Sequence, residues 1–129
     1  MQTKKSLGQH WLNDAATLKA MCDAANVQKG DVVLEIGPGQ GSLTALLLER
    51  SATVVAVELD ERLAEALKGR FSELPFTLNM LSILDFDLST MPADYKLVAN
   101  IPYYLTAHLL YMLSETLHKP QTVALLVQK

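Results

Sequence analysis

Three groups of residues in this chain have the types and spacing to do chemistry. The most specific is Asn100-Ile101-Pro102-Tyr103-Tyr104-Leu105-Thr106. The exocyclic amine of adenine is a poor nucleophile, because its lone pair is delocalised into the ring. An Asn side-chain oxygen and a nearby backbone carbonyl can each accept one amine N–H. That draws the nitrogen toward a tetrahedral shape and aims its lone pair at a methyl donor. Pro102 constrains the backbone so that a carbonyl, that of Ile101, faces the site. Tyr103 offers a face on which a flipped-out base stacks. Asn100, Pro102 and Tyr103 are therefore the candidate catalytic group. The attacking nitrogen starts neutral and a sulfonium gives up its methyl group readily. No general base is needed, and catalysis is positioning and dipole alignment.

The second group is Glu35-Ile36-Gly37-Pro38-Gly39-Gln40-Gly41. Glycines let a backbone turn sharply and approach a ligand with no Cβ in the way. The spacing is Gly-x-Gly-x-Gly, where a dinucleotide fingerprint is Gly-x-Gly-x-x-Gly or Ala with Ser42 at the last position. Pro38 also removes an N–H that a pyrophosphate would use. S-adenosylmethionine carries no phosphate and fits this loop better. Glu35 falls inside a strand pattern, where an acid is costly unless paired. It accepts either from N–H groups of the loop or from the ammonium of the cofactor. The third group is Glu58, about 20 residues beyond Gly37, at the end of the next apolar run. A carboxylate there accepts both ribose hydroxyls and disfavours a 2′-phosphate.

These groups need elements to hold them. Ala15, Leu18, Met21, Cys22 and Ala25 share one face at helical spacing, after a cap at Asn13 or Asp14. Val32 to Ile36 reads as a buried strand and Ser42 to Arg50 as a helix. Thr53 to Val57 is a second strand, and Asp60 caps a helix to about Phe71. Strands follow at Phe76–Met80 and Lys96–Ala99, then the Asn100 loop, a helix from Thr106 through Glu115, and a fifth strand at Thr122–Val127. Strands alternating with helices predict an α/β fold, a Rossmann-like, doubly wound parallel sheet of about five strands in one domain over residues 1–129. In such sheets ligands bind beyond the carboxyl ends of the strands. All three groups fall there.

Composition sets bounds. Eleven Lys and Arg against 14 Asp and Glu give a formal charge of −3, which counts against strong nucleic-acid binding by this chain alone. Lys4 and Lys5 form a local basic patch or a solvated tail. Cys22 is the only cysteine, so no disulfide forms within the chain, and a reducing cytoplasm is expected. No apolar stretch approaches the ~20 residues of a membrane span. The N-terminal basic residues precede no apolar region, so they are not a secretory signal. No Cys/His cluster has metal-ligand spacing. His108 and His118 read as helix-surface residues. A monomer without a metal or membrane partner is expected.

Taken in order, Gly8-Gln9-His10-Trp11-Leu12, Glu35-Ile36-Gly37-Pro38-Gly39, Glu58-Leu59-Asp60, Asn100-Ile101-Pro102-Tyr103 and Val127-Gln128-Lys129 resemble the successive signatures of the ribosomal RNA adenine N6,N6-dimethyltransferase family. The resemblance covers nearly the whole chain. It implies that His10 and Leu12 line the cofactor pocket, that Gly37 contacts the methionine moiety and Glu58 the ribose, and that Asn100 touches both cofactor and target amine. It also implies the reaction: two methyl groups to N6 of each of two adjacent adenosines in small-subunit rRNA or a ribosomal precursor particle, in ribosome biogenesis. Two departures stand out. The family usually carries an Asp after the third strand, holding the cofactor's adenine amine; by register that position is Ser82. Asp85 matches a different family position. The family's sheet also continues with a terminal strand pair and then a small helical rRNA-recognition domain. Ending after strand five, the chain is expected to be a fragment or a degenerate copy with an open sheet edge. The alternatives are a non-catalytic, methyltransferase-like module that binds RNA or ribosome precursors, and a NAD-dependent oxidoreductase fragment.

Overall fold

The computed structural model describes residues 14 to 128. Helix α1 (Ala15–Ala24) leads into β1 (Val32–Ile36), α2 (Ser42–Glu49), β2 (Thr53–Val57), α3 (Glu61–Arg70) and β3 (Phe76–Asn79). Two single 3-10 turns, Ile83–Asp85 and Leu88–Thr90, precede β4 (Lys96–Pro102), α4 (Tyr103–Glu115) and β5 (Thr122–Gln128). The five strands form one sheet in the order β3-β2-β1-β4-β5. Every neighbouring pair is parallel. The order reverses between β1 and β4, and this is the switch point at which doubly wound sheets bind ligands.

The strands are apolar on both faces because both faces are covered. Val33, Val54, Ala56 and Val98 pack with Leu18, Met21 and Cys22 of α1 and Leu43 and Leu47 of α2. Leu34, Ile36, Leu97, Ala99 and Ile101 face the other way, onto Leu109 of α4 and onto Ile83, Leu88 and Met91 of the 3-10 segment. Alternate residues of each strand thus feed two separate cores, as the period of two requires. Cys22 is buried, as a small apolar side chain.

Most predicted elements occur where expected, but the end of β4 differs. The strand continues three residues past Ala99, and Asn100, Ile101 and Pro102 pair with Leu126, Val127 and Gln128 of β5. Asn100 stands in a strand, not in a loop. Helix α4 then starts at Tyr103 rather than Thr106. Pro102 occupies the N-cap position with φ −67° and ψ 153°. Its ring sets φ, and its missing N–H costs nothing at a position with no intrahelical partner. Strand therefore passes into helix with no intervening loop. His118 also differs: it follows α4, where its ring stacks on Tyr95 and its Nε2 lies 2.6 Å from the carbonyl oxygen of Met91. Among the described residues β5 is an edge strand.

Candidate active site

The site is built where β1 and β4 end side by side. Gly37 follows β1 with φ +71°. A Cβ on Gly37 would sit 2.5 Å from the backbone oxygen of Asn100. No side chain fits, so glycine is required twice over, by conformation and by contact. The glycine loop and the Asn100 strand end are therefore in direct contact. Gly37 N–H donates to the carbonyl of Val57 (3.1 Å), which ties the start of the loop to β2. Gly39 has φ +58° and Gly41 φ +95°. Gly41 packs against Leu67 of α3 and Phe71 just beyond it, where a Cβ would come within 2.9 Å of both. Arg70 closes over the loop: Nη1 donates to the carbonyl of Gln40 at 2.8 Å.

Glu58 stands beside the loop at the end of β2. Its Oε1 accepts from Gly39 N–H (3.3 Å) and its Oε2 from Asp60 N–H (3.0 Å). The carboxylate is held in place by backbone donors, and each oxygen keeps a lone pair for a ligand hydroxyl. Asp60 caps α3, accepting from Arg62 N–H and Leu63 N–H.

Glu35 is 1% exposed. Its Oε1 accepts from the hydroxyl of Thr44 in α2, while its Oε2 is buried with no hydrogen-bond partner among the described residues. Of the two expected partners, loop N–H or cofactor ammonium, the loop supplies none here. Burial pushes the carboxyl up to about 7; the Thr44 hydroxyl opposes this and the nearby Glu58 carboxylate adds to it. Thr44 escaped the sequence reading. Its signal was a hydroxyl two residues into the Leu-rich helix Ser42–Glu49.

Asn100 is half-buried, and its Oδ1 accepts from Gln128 Nε2 at 2.6 Å. Gln128 entered the sequence reading only as part of a signature. Pro102's carbonyl turns back to accept from the Thr106 hydroxyl at 3.4 Å. Tyr103 is 68% exposed and presents its ring at the rim. Asn100, Pro102, Tyr103, Glu35, Gly37, Gly39 and Glu58 thus gather at one end of the sheet. Ser82 caps the first 3-10 turn, its Oγ accepting from Leu84 N–H at 3.2 Å through one lone pair. His10 and Leu12 lie outside the described residues. Among the described residues no group of His, Cys, Asp or Glu is arranged to hold a metal, and no helix is long and apolar enough to cross a membrane.

A glycine loop, an acid after β2 and a polar strand end at the switch point define a doubly wound α/β domain of the methyltransferase type. The family model described as ribosomal RNA adenine dimethylase matches residues 1–129. The chain belongs to this family. It is 40% identical to a protein of Dehalococcoides mccartyi named ribosomal RNA small subunit methyltransferase A, over 100% of this chain and 46% of that protein. A protein of the same name from Thermosynechococcus vestitus is 44% identical, over 100% of this chain and 50% of its own. The chain thus spans about half the length of the curated relatives it matches. Among solved structures, a dimethyladenosine transferase from Plasmodium falciparum superposes with a TM-score of 0.77 at 26% identity, covering 90% of this chain and 42% of that one. The 23S rRNA methyltransferase ErmE gives 0.76 at 28% identity, covering 89% and 46%.

Proposed function

We propose that residues 1–129 form the S-adenosylmethionine-binding, catalytic unit of an rRNA adenine N6-dimethyltransferase. Its target would be two adjacent adenosines of small-subunit rRNA, free or in a ribosomal precursor particle in the cytoplasm. One observation carries the reading: Gly37 lies against the Asn100 carbonyl, so the methyl-donor loop and the amine acceptor share one contact at the switch point. The donor set fits the cofactor. Gly39 borders open space, Glu58 offers two acceptor oxygens to ribose hydroxyls, and the orphaned Oε2 of Glu35 suits an ammonium. When bound, the cofactor supplies an electrophilic methyl group on sulfur.

The chain's own residues do the rest. Asn100 Oδ1 and the Ile101 carbonyl accept N–H bonds from N6 of adenine and aim its lone pair. Tyr103 stacks the extruded base. N6 sheds a proton to solvent once its new N–C bond has formed. By the family resemblance, His10 and Leu12 would line the cofactor pocket. The test is methyl incorporation into a small-subunit rRNA hairpin or its precursor particle. Asn100→Ala should lower turnover at least ~100-fold, the scale of losing one aligned polar group. Turnover equal to wild type would overturn the mechanism.

One observation favours a second reading. Ser82 stands where the family usually carries an Asp and its Oγ caps its own turn, so adenine of the cofactor would lack a carboxylate there. A non-catalytic module that binds rRNA or ribosome precursors would follow from weak cofactor affinity. Calorimetry separates the two readings, since no heat at millimolar S-adenosylmethionine would favour the module.

A further inference from the structure

The Gln128–Asn100 hydrogen bond has a consequence for specificity. A carboxamide has nearly the same shape in two orientations, and they differ in whether the oxygen or the NH2 group faces a given side. For a residue that must receive an amine, only one orientation works. With the NH2 group toward the site, donor would meet donor. Nothing in Asn100 itself decides between the two. The decision comes from the neighbouring strand. Gln128 ends β5 opposite Pro102, two residues along β4 from Asn100. Its Nε2 reaches back to Asn100 Oδ1 at 2.6 Å. Both side chains are half-buried, so water competes less for this bond than at the surface. A carbonyl-type oxygen has two lone pairs. One accepts from Gln128, and the other stays available to a ligand.

We propose that Gln128 is the positioning residue of the site: its side-chain NH2 sets the amide orientation of Asn100 and so selects a ligand that donates N–H from an exocyclic amine. This rests on the reading of Asn100 as the amine acceptor. Gln128 would not touch the substrate. Its influence should grow between the two methyl transfers. An unmethylated amine offers two N–H groups to the Asn100 oxygen and the Ile101 carbonyl. A monomethylated amine has one left and depends on a single, correctly turned acceptor. The second transfer should therefore be the more sensitive.

The test compares wild type, Asn100→Ala, Gln128→Leu and the near-isosteric Gln128→Glu, whose carboxylate accepts where Gln128 donates. Each is given S-adenosylmethionine and a small-subunit rRNA hairpin with two adjacent adenosines, and the mono- and dimethylated products are counted. Both Gln128 variants should lose ten-fold or more in kcat, with KM for RNA and Kd for the cofactor within about two-fold of wild type. Gln128→Glu should raise the monomethyl fraction several-fold. A merely structural loss would lower both transfers alike. In NMR spectra of the ligand-free chain, one Gln128 side-chain N–H should be shifted downfield and protected from exchange, and Asn100→Ala should abolish both effects. Gln128 variants with wild-type kcat and product ratio, or a Gln128 amide indifferent to Asn100→Ala, would overturn the proposal. If Asn100→Ala itself turned over normally, the reading of Asn100 would fall instead.

Discussion

Neighbouring strands of this sheet bury one ionisable side chain each, and the two are treated in opposite ways. Lys96 opens β4 at the amino end of the sheet and is 4% exposed. Its Nζ donates to Asp31 Oδ2 at 2.8 Å and to the carbonyl of Asn26. Glu35 lies near the carboxyl end of β1, equally buried, with one oxygen on Thr44 and the other on nothing. The same backbone frame thus carries a fully paired charge at one end and an under-paired acid at the other. The paired end ties β4 to the α1–β1 connection, and Thr122 of β5 adds a bond to the Ala25 carbonyl there. The under-paired end is where the glycine loop, Glu58 and Asn100 meet. A polar atom left open in the core is costly, and this one lies at the end of the sheet where those residues gather.

The largest effect should come from the paired end. Lys96→Met leaves Asp31 facing the core without its cation. The cost should be about 3 kcal/mol of unfolding free energy, the lower part of the range for breaking a buried pair, since Asp31 keeps some solvent contact. Urea unfolding would measure it, and Lys96→Met with Asp31→Asn should recover part of the loss. Burial pushes the Asp31 carboxyl up, but the Lys96 ammonium and the Gln28 N–H together outweigh it and hold it below the ordinary carboxylate value. A depressed carboxylate contributes above its unfolded value and loses that contribution as pH falls through the folded one. The pair should therefore stop stabilising in acid. Cofactor affinity of the folded variant should stay as in wild type. A tenfold change would mean that the two ends are coupled, and the contrast would fail.

Glu35 should behave with the opposite sign. Its value of about 7 in the folded chain lies above the 4.5 of a free side chain. The raised carboxyl contributes most below 4.5, where both states are protonated, and its contribution is lost as pH rises to 7, because unfolding then releases a proton. Across that window the wild type should lose about 3 kcal/mol through this one group. Glu35→Gln cannot ionise, so its stability should lack that slope. The check is the difference between the two denaturation curves from pH 4 to 8. Parallel curves would mean that Glu35 is charged in the folded chain.

How much of this could be read from residues alone depends on range. Val32–Ile36 and Thr53–Val57 were legible because a β-branched or apolar run bounded by turn residues has few alternatives in an alternating α/β pattern. The convergence of Gly37, Glu58 and Asn100 followed from the rule for strand ends. What escaped depends on contacts distant in sequence. Residue types alone end the fourth strand at Ala99, and only the pairing of Asn100, Ile101 and Pro102 with Leu126, Val127 and Gln128 carries β4 onward. The partner of Asn100 is likewise invisible locally. Ser82 shows the reverse case, a short-range bond: its Oγ commits one lone pair to Leu84 N–H, two residues on.

The smallest effect should mark the boundary of the contrast within the rim itself. Asp60 stands beside Glu58 yet does plain structural work, capping α3 through Arg62 N–H and Leu63 N–H. Asp60→Ala should cost about 1 kcal/mol, as the loss of a side-chain cap does, and lower the melting temperature by about 4 °C. The substitution keeps the backbone N–H that Asp60 donates to Glu58 Oε2. Glu58 should stay in place, and calorimetry should find the cofactor affinity unchanged. A weakened affinity would mean that the cap and the ribose acceptor form one unit, with Glu58 positioned by the start of α3 as a whole and not by single backbone donors. The rim would then owe its geometry to helix stability as much as the opposite end of the sheet owes its own to a charge pair.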